Sequence, residues 1–306
     1  MTTLTCMRGY PGSGKSTLAR QVADEETGAV VVGRDFIREM MFGDGYVQTA
    51  ARELQVTVAQ QAQVTALLKA GHDVIVDDCN VNSHYLKGFR DLARRAGADF
   101  VIQDVRTDVD TCVERATTRA LRGGRWVRPE VILKMAKRYP MDKWPAIKPR
   151  RPIVVEPLQP GENSPGTGRP TIIVDIDGTL AKMEGRSPYD YSRVSEDSLH
   201  EDVAYLVQEM SLTNQIIIMS GRDDSCMADT IAWLEKYQIP FDELLMRPAK
   251  SSGKDADPDW IVKLALFNEH IRGRHYVRFV LDDRNQVVEL WRKLGLRCLQ
   301  VAPGDF

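Results

Sequence analysis

The chain has 306 residues, enough for two domains that each bury a hydrophobic core. Its formal net charge of −2, with 27% charged residues, excludes a strongly basic protein that coats nucleic acid or an acidic membrane. Five scattered cysteines and no CxxC pair argue against a disulfide framework or a zinc site. Since there is no signal-like segment and no long apolar run, we expect a cytoplasmic protein with no membrane partner.

Residues 1–148 alternate short β-branched runs with amphipathic stretches, which predicts a first α/β domain with a parallel sheet covered on both faces. The predicted strands are Leu4–Met7, Ala29–Val32, Asp73–Val76 and Phe100–Val105. The predicted helices are Ser16–Glu26, Thr49–Lys69, Ser83–Arg95 and Val109–Leu121. Gly71 and Gly97 stand where helix C-termini are expected.

A glycine-rich string, GYPGSGKS at residues 9–16, lies between the first predicted strand and the first helix. It fits GxxxxGK[ST], in which curled backbone N–H groups point at phosphates, the lysine reaches the β and γ phosphates and the serine ligates Mg²⁺. The helix that follows presents its positive end to the same anion. The string predicts a nucleoside triphosphate site formed by Gly9, Gly12, Ser13, Gly14, Lys15, Ser16 and Thr17.

The phosphoryl acceptor is expected at the end of the second predicted strand, because ligands of open parallel sheets bind at the carboxyl ends of strands. Asp35 stands there and can accept the proton of an attacking hydroxyl, and Arg38 lies one helical turn later. The alternative is a helix N-cap aspartate followed by a surface arginine. Asp78 and Asn80, after the third strand, are further candidates for the acceptor pocket.

Five arginines fall in RATTRALRGGRWVR, residues 115–128, around Gly123 and Gly124. Arginine stabilises the charge of a transferring phosphoryl group, and the glycines allow the segment to close as a lid. The alternative is a basic helix face in water.

Seven prolines interrupt residues 145–170, where no helical period is visible. We interpret residues 149–169 as a Pro/Gly-rich linker, within which Ile153–Val155 is a candidate edge strand.

Residues 170–306 form a second predicted α/β domain. Its predicted strands are Thr171–Asp175, Gln215–Met219, Glu243–Met246, Val277–Leu281 and Leu296–Val301. Its predicted helices are Ser198–Ser211, Cys226–Lys236, Asp259–Ile271 and Gln286–Leu294.

DIDGTL, residues 175–180, ends the first strand of this domain with two carboxylates. Because Asp175 and Asp177 stand two positions apart at the end of a strand, their side chains can project to the same side. Asp175 is the candidate nucleophile, which would form an aspartyl-phosphate, and Asp177 the candidate acid and base. Gly178 leaves room for the chain to turn.

Three more stretches end strands or open helices of the same sheet. Ser220 can bond a phosphate oxygen and Arg222 can clamp the substrate, while Lys263, on the helix opened by Asp259, can neutralise the nucleophile. Asp282 and Asp283 would complete a Mg²⁺ site with Asp175 and Asp177. Acidic residues commonly end strands, so each of these stretches taken alone is also compatible with a purely structural role.

The chain resembles the phage-type polynucleotide 5′-kinase/3′-phosphatase family over both domains. The strings that carry the resemblance are the motifs above together with LAKMEGR-PYD (180–190), DDR-QVVE-WR (282–292) and the terminal QVA-GDF. The resemblance implies a P-loop NTPase-type parallel sheet followed by a Rossmann-like haloacid-dehalogenase phosphatase sheet. Only a short insertion, Ala181–Asp197, follows DIDGTL, so a minimal cap and an open site are expected, which suits a polymer end.

The same resemblance implies ATP as phosphate donor, Mg²⁺, and RNA or DNA substrates with 5′-hydroxyl and 3′-phosphate ends. A 2′,3′-cyclic phosphate is a further candidate substrate, and the products would pass to a ligase. The resemblance also implies a homo-oligomer. The expected location is the cytoplasm, which would be the host cytoplasm if the protein is phage-encoded. The implied site residues are Lys15, Ser16, Asp35, Arg38, Asp175, Asp177, Arg186, Ser220, Arg222, Asp259, Lys263 and Asp283.

The family has two lid arginines four residues apart, and here Arg122 is taken as one of them. Its partner is left open between Arg119 and Arg125. Two alternative functions remain: a small-molecule kinase fused to a metabolite phosphatase, and a non-catalytic end-binding scaffold.

Overall fold

A computed structural model describes residues 1–24, 28–43, 46–183, 185–187, 190–249 and 257–304. It divides into two compact units, Met1–Val154 and Val155–Phe306, which are described separately. Each unit is a parallel sheet flanked by helices, so the predicted α/β fold is confirmed.

The sheet of the first unit has four parallel strands in the order β2-β3-β1-β4. The strands are β1 (Thr3–Arg8), β2 (Val30–Val32), β3 (Val74–Val76) and β4 (Asp99–Asp104). The helices are α1 (Lys15–Val22), α2 (Arg34–Phe42), α3 (Ala50–Lys69), α4 (Ser83–Ala96), α5 (Val109–Leu121) and α6 (Pro129–Arg138).

The β1 strand is central because its apolar side chains can be buried on both faces of the sheet. Leu4 and Cys6 are fully buried in the core shared with α3 and α4, and Met7 packs on the other face against Ala19 of α1. All four strands run the same way, so the segments after β1, β2 and β4 meet at one edge.

Two helices of this unit, α2 and α6, were not among the predicted helices. The extended Gly33 precedes α2, and Pro129 occupies the first turn of α6, where a missing N–H costs nothing. The end of the first predicted helix, at Glu25 and Glu26, lies outside the described residues. Gly97 has φ +75° at the end of α4, as its position predicts.

The candidate edge strand Ile153–Val155 was wrong, since these described residues carry no strand. The Ile153 N–H donates one bond of 2.9 Å to the Arg94 carbonyl, and a single bond does not make a ladder.

The second unit has a five-stranded parallel sheet in the order β11-β10-β5-β8-β9 and a short antiparallel pair, β6-β7. The strands are β5 (Thr171–Val174), β6 (Ala181–Lys182), β7 (Ser198–Leu199), β8 (Gln215–Asp223), β9 (Glu243–Arg247), β10 (Val277–Arg284) and β11 (Cys298–Gly304). The helices are α7 (Glu201–Ser211), α8 (Met227–Lys236), α9 (Asp259–Leu266) and α10 (Asn285–Lys293).

Strand β5 is central and buried along its whole length, so it fixes the position of the segment that follows it. The predicted helix from Ser198 instead begins at Glu201, because Ser198–Leu199 pairs with Ala181–Lys182. After α9 the chain continues as a π-helical turn, Phe267–Ile271. Among the described helices, none has the length and apolar character needed to cross a bilayer.

Candidate active sites

The loop between β1 and α1 has the strained backbone that its glycines predict. Gly12 has φ +85° and Gly14 φ +101°, a region that favours glycine. A Cβ on Gly12 would also lie 2.2 Å from the Cys112 carbonyl oxygen. Glycine is therefore required here for both backbone conformation and space, and the loop curls around the first turn of α1.

The side chains of this loop leave the start of α1 open to an anion. Gly14 is the N-cap and makes no side-chain capping bond, so the first N–H groups remain available. Lys15 is 7% exposed and donates 2.9 Å to the Tyr10 carbonyl, while the buried Ser13 Oγ has no hydrogen-bond partner among the described residues. Ser16 and Thr17 are exposed on the first turn. This arrangement fits a triphosphate with its metal ion.

The α2 helix, which follows β2, carries Asp35 and Arg38. Asp35 is about half exposed and accepts 2.7 Å from Arg38 Nη1, and the Arg125 guanidinium contacts its other oxygen. Arg38 is also held by Glu53 of α3, through bonds of 2.8 Å to each carboxylate oxygen. The bond from Arg38, with contributions from Tyr46 and a second arginine, lowers the pKa of Glu53 to about 2.

Asp78 and Asn80 are bound within the fold. Asp78 accepts from the Arg34 N–H at 3.0 Å and from Gln60 Nε2 at 2.7 Å, and burial raises its pKa. Asn80 has φ +49° and donates 2.8 Å to the Met7 carbonyl. Both side chains therefore fix the segment after β3 against its neighbours.

The arginine-rich segment spans the end of α5 and the loop after it. A surface cleft runs along one face of α5, lined by Thr111, Glu114, Arg115, Thr118, Arg119, Arg122 and Gly124. Arg115 donates 3.4 Å to the Ser13 carbonyl, so this face begins at the phosphate loop. Arg119 Nε donates 3.0 Å to the Arg125 carbonyl. Arg122 is exposed at the helix end, where its N–H donates 3.2 Å to the Arg119 carbonyl, and its side chain makes no hydrogen bond or ion pair with another described residue.

In the second unit, a fully buried lysine binds carboxylates from three segments. Lys263 Nζ lies 2.7 Å from Asp175, 2.9 Å from Asp282 and 3.5 Å from Asp259. Burial raises the pKa of Asp175 well above its ordinary value, although Lys263 opposes that shift. Burial alone would lower the pKa of Lys263, but Asp175 and the other carboxylates raise it overall. Lys263 is thus the cation that compensates this acidic group.

Three of these carboxylates form a group suited to a hard divalent cation. Asp175, Asp282 and Asp283 are buried, and one oxygen of each lies within 4.8 Å of the others. Burial and the neighbouring Asp282 raise the pKa of Asp283 to about 6. A Cβ on Gly178 would lie 2.2 Å from Asp283 Oδ2, and its φ is +85°, so the turn after β5 needs glycine. Oxygen ligands of this kind fit Mg²⁺.

Asp177 lies outside that carboxylate group and binds two arginines instead. Arg186 Nη2 and Arg222 Nη2 each donate 2.7 Å to Asp177 Oδ1. Both arginines also donate to Asp197, which is 1% exposed. The carboxylate of Asp177 is therefore oriented by a buried network, and the candidate metal role of Asp177 stays a prediction.

The SGR stretch belongs to the end of β8. Ser220 is buried and its Oγ accepts 3.2 Å from the Arg222 N–H. A Cβ on Gly221 would lie 2.0 Å from Asp259 Oδ1, an oxygen that is buried without a hydrogen-bond partner among the described residues. These side chains surround one pocket, lined by Asp175, Asp177, Tyr191, Gly221, Arg222, Arg247, Asp259 and Arg284.

Known families match both units. Residues 169–306 match the family described as polynucleotide kinase PNKP phosphatase domain, and residues 4–141 match an AAA domain family. A chain in a solved structure of the Pnkp1/Rnl/Hen1 RNA repair complex is 34% identical, covering 100% of this chain and 97% of that one, with a TM-score of 0.48. The chain belongs to the polynucleotide kinase/phosphatase family.

Two further relatives of this polynucleotide kinase/phosphatase chain extend the comparison. A protein of Autographa californica nuclear polyhedrosis virus, named "Putative bifunctional polynucleotide kinase/RNA ligase", is 31% identical over 309 residues, which is 96% of this chain. The chain spans 41% of the length of that relative. A second structure of a Pnkp1/Rnl/Hen1 complex is 33% identical over 98% of its chain, with a TM-score of 0.46.

Arg115 was not among the site residues predicted from the sequence. Arg115 and Arg119 are four residues apart on α5, which is the spacing expected of the lid pair, and both line the α5 cleft. The expected spacing of four residues also matches Arg115 and Arg119, but the sequence prediction took Arg122 as one member of the pair. The contact between Arg115 and the phosphate loop is what distinguishes them.

Glu53 and Asp197 were also missed. Each is a carboxylate that holds arginines of a candidate site, Glu53 in the first unit and Asp197 in the second. No motif surrounds either residue, so the only sequence signal was an acidic residue at a helix start or before a strand. Their importance comes from contacts across the fold.

Proposed function

We propose that this protein heals broken nucleic-acid ends, adding a phosphate at the 5′ end and removing one at the 3′ end. The observation that supports the proposal is that each unit has its own group of side chains suited to handling a phosphoryl group. The first combines the phosphate loop with Asp35, and the second combines Asp175 with Lys263 and the three-carboxylate group.

In the kinase unit, we propose that Asp35 accepts the proton of the 5′-hydroxyl as it attacks the γ-phosphate of ATP. Arg38, held by Glu53, would bind the phosphate of the acceptor nucleotide. Lys15 and the arginines of α5 would stabilise the charge on the transferring group. Arg115 is the better supported partner of Arg119, since it already contacts the phosphate loop.

In the phosphatase unit, we propose that an Asp175 oxygen attacks phosphorus and displaces the 3′-oxygen of the nucleic acid. Asp177, oriented by Arg186 and Arg222, would give its proton to that leaving oxygen. The aspartyl-phosphate is then attacked by water, which loses a proton to Asp177 and releases inorganic phosphate. Lys263, 2.7 Å from Asp175, favours the ionised form of this carboxylate against the effect of burial.

The family implies a nucleotide cofactor and a metal ion, which we propose are ATP and Mg²⁺. The ion would be held in the second unit by Asp175, Asp282 and Asp283 and in the first by Ser16. It would supply a positive charge that stabilises the transferring phosphoryl group. Asp259 and Ser220 would bind the substrate phosphate or position its ligands, since both line or adjoin the pocket around Asp175.

The small size of the segment that could cover the proposed phosphatase site supports a polymer end as its substrate over a small metabolite. Between β5 and α7, the described residues add only the short β6-β7 pair and one 3-10 turn, Tyr191–Glu196. The match to a polynucleotide phosphatase family also favours this proposal over a small-molecule kinase joined to a metabolite phosphatase. The name of the viral relative pairs kinase with RNA ligase, which supports transfer of the products to a ligase.

One assay tests both halves of the proposal. An oligonucleotide with a 5′-hydroxyl and a 3′-phosphate, in RNA and DNA versions, is incubated with γ-labelled ATP and Mg²⁺. We expect label at the 5′ end and free phosphate from the 3′ end. Asp175→Asn should abolish only phosphate release and Asp35→Ala only labelling. Loss of both activities in either variant, with intact folding, would contradict two independent sites.

The expected homo-oligomer and cytoplasmic location stay predictions. Light scattering at several protein concentrations would measure the oligomeric state.

A further inference from the structure

Two exposed aromatic residues directly follow Asp35 and Arg125 in the sequence, and the side chains of Asp35 and Arg125 are in contact. Phe36 is 48% exposed and follows Asp35 on α2. Trp126 is 60% exposed and follows Arg125, whose guanidinium contacts the Asp35 carboxylate. The two rings are therefore carried by segments that face each other across the proposed base. Neither ring has a role in the phosphoryl transfer described above.

The position of Phe36 is set by the junction between β2 and α2. A Cβ on Gly33 would lie 3.3 Å from Phe36 Cδ2, so the ring packs over the end of β2. The guanidinium carbon of Arg20, on α1, lies 5.9 Å from the ring centroid. The ring thus lies between the start of α2, which carries Asp35, and α1, the helix that follows the phosphate loop.

The segment that carries Trp126 is positioned by two arginines before it. Arg119 binds the Arg125 carbonyl at 3.0 Å, and Arg125 reaches Asp35. The Arg128 guanidinium carbon lies 5.7 Å from the Trp126 ring centroid. Each exposed ring therefore has an arginine beside it. Aromatic faces with adjacent arginines bind single nucleotides by stacking on the base and neutralising its phosphate.

We propose that Phe36 and Trp126 stack on the terminal nucleobase of the acceptor strand while Asp35 binds its 5′-hydroxyl. This inference rests on the proposed kinase function and extends it from the reacting hydroxyl to the attached base. Because every base has a π-face, the site should require a base yet discriminate weakly among the four. Loss of the base should raise the acceptor KM about 5- to 150-fold, which corresponds to the free energy of one base–aromatic stack.

The test uses the full chain and two oligonucleotides with 5′-hydroxyl ends, one complete and one lacking the base of its first nucleotide. The wild type should show the higher KM for the abasic acceptor. Phe36→Leu and Trp126→Leu keep apolar bulk and should raise the KM for the complete acceptor, with kcat within about twofold. They should not raise the KM for the abasic acceptor further. Tyr85→Leu, at a 54% exposed tyrosine on α4, is the matched control and should change neither value.

Four results would overturn the inference. Equal KM values for the two acceptors in the wild type would show that no base is bound, and this comparison needs no variant to fold. An equal rise for both acceptors in the variants, or a fall in kcat alone, would assign the rings to lid movement. If the wild type labels no oligonucleotide at all, the proposed kinase function fails and the stacking proposal with it.

Discussion

Replacing Lys263 with methionine tests the electrostatic basis of the proposed phosphatase site. The lysine is fully buried and lies within 3.5 Å of Asp175, Asp259 and Asp282. Methionine has similar length and no charge, so the variant leaves these carboxylates without their cation. Removing one partner of a buried ion pair typically costs about 3–5 kcal/mol.

The expected cost lies near the lower end of that range, because a carboxyl group can take up a proton. Burial already raises the pKa of Asp175 and raises that of Asp283 to about 6. Protonation relieves the repulsion more easily in acid, so Lys263→Met should be less destabilising at pH 6 than at pH 8. The same protonation removes the nucleophile, and we expect phosphatase kcat to fall at least about 100-fold.

Calorimetry of the full chain, with both activities measured in parallel, checks this prediction. The phosphatase should be lost and one unfolding transition should move to lower temperature, while 5′-kinase activity stays unchanged. The double variant Lys263→Met/Asp282→Asn removes one carboxylate as well and should recover part of the stability but none of the activity. An unchanged unfolding temperature together with normal phosphatase activity in Lys263→Met would refute the reasoning.

Three further predictions concern positioning and strain. Arg115→Ala should lower kinase kcat at least tenfold with little change in ATP affinity, and this fall in kcat should exceed the fall in Arg122→Ala. If Arg122→Ala changes only the ATP affinity, the role predicted for Arg122 from the sequence is wrong. Glu53→Gln should raise the acceptor KM, because the acceptor-binding arginine loses its partner. The pKa of Glu53 is lowered from 4.5 to about 2, so the ionised carboxylate stabilises the first unit fully above pH 4.5. That stabilisation is lost as the pH falls toward 2. The stability of the Glu53→Gln variant should therefore depend less on pH across this interval in acid unfolding experiments. Gly221→Ala should reduce phosphatase and spare kinase activity, since its new Cβ would meet the carboxylate of Asp259; normal phosphatase activity would show that this contact yields freely.

The sequence alone determined the features that depend on neighbouring residues. The phosphate loop needs glycines at Gly12 and Gly14 because of local φ angles, and those glycines are visible in the string itself. Buried strands such as β1 and β5 show as short apolar runs, and DIDGTL follows directly from one of them. These features could be predicted because their physical causes lie within a few consecutive residues.

The tertiary structure decided which distant residues meet. Lys263 contacts both Asp175, after β5, and Asp282, on β10, because these two strands are neighbours in the sheet, an order that no local pattern encodes. Arg115 was distinguished from the other arginines of its segment by the face of α5 that reaches the phosphate loop. Asp197 binds two arginines that are distant from each other in sequence, Arg186 and Arg222, although its own sequence surroundings are ordinary. Such contacts depend on strand order and helix packing, which result from burial of the whole core and not from any single stretch of the chain.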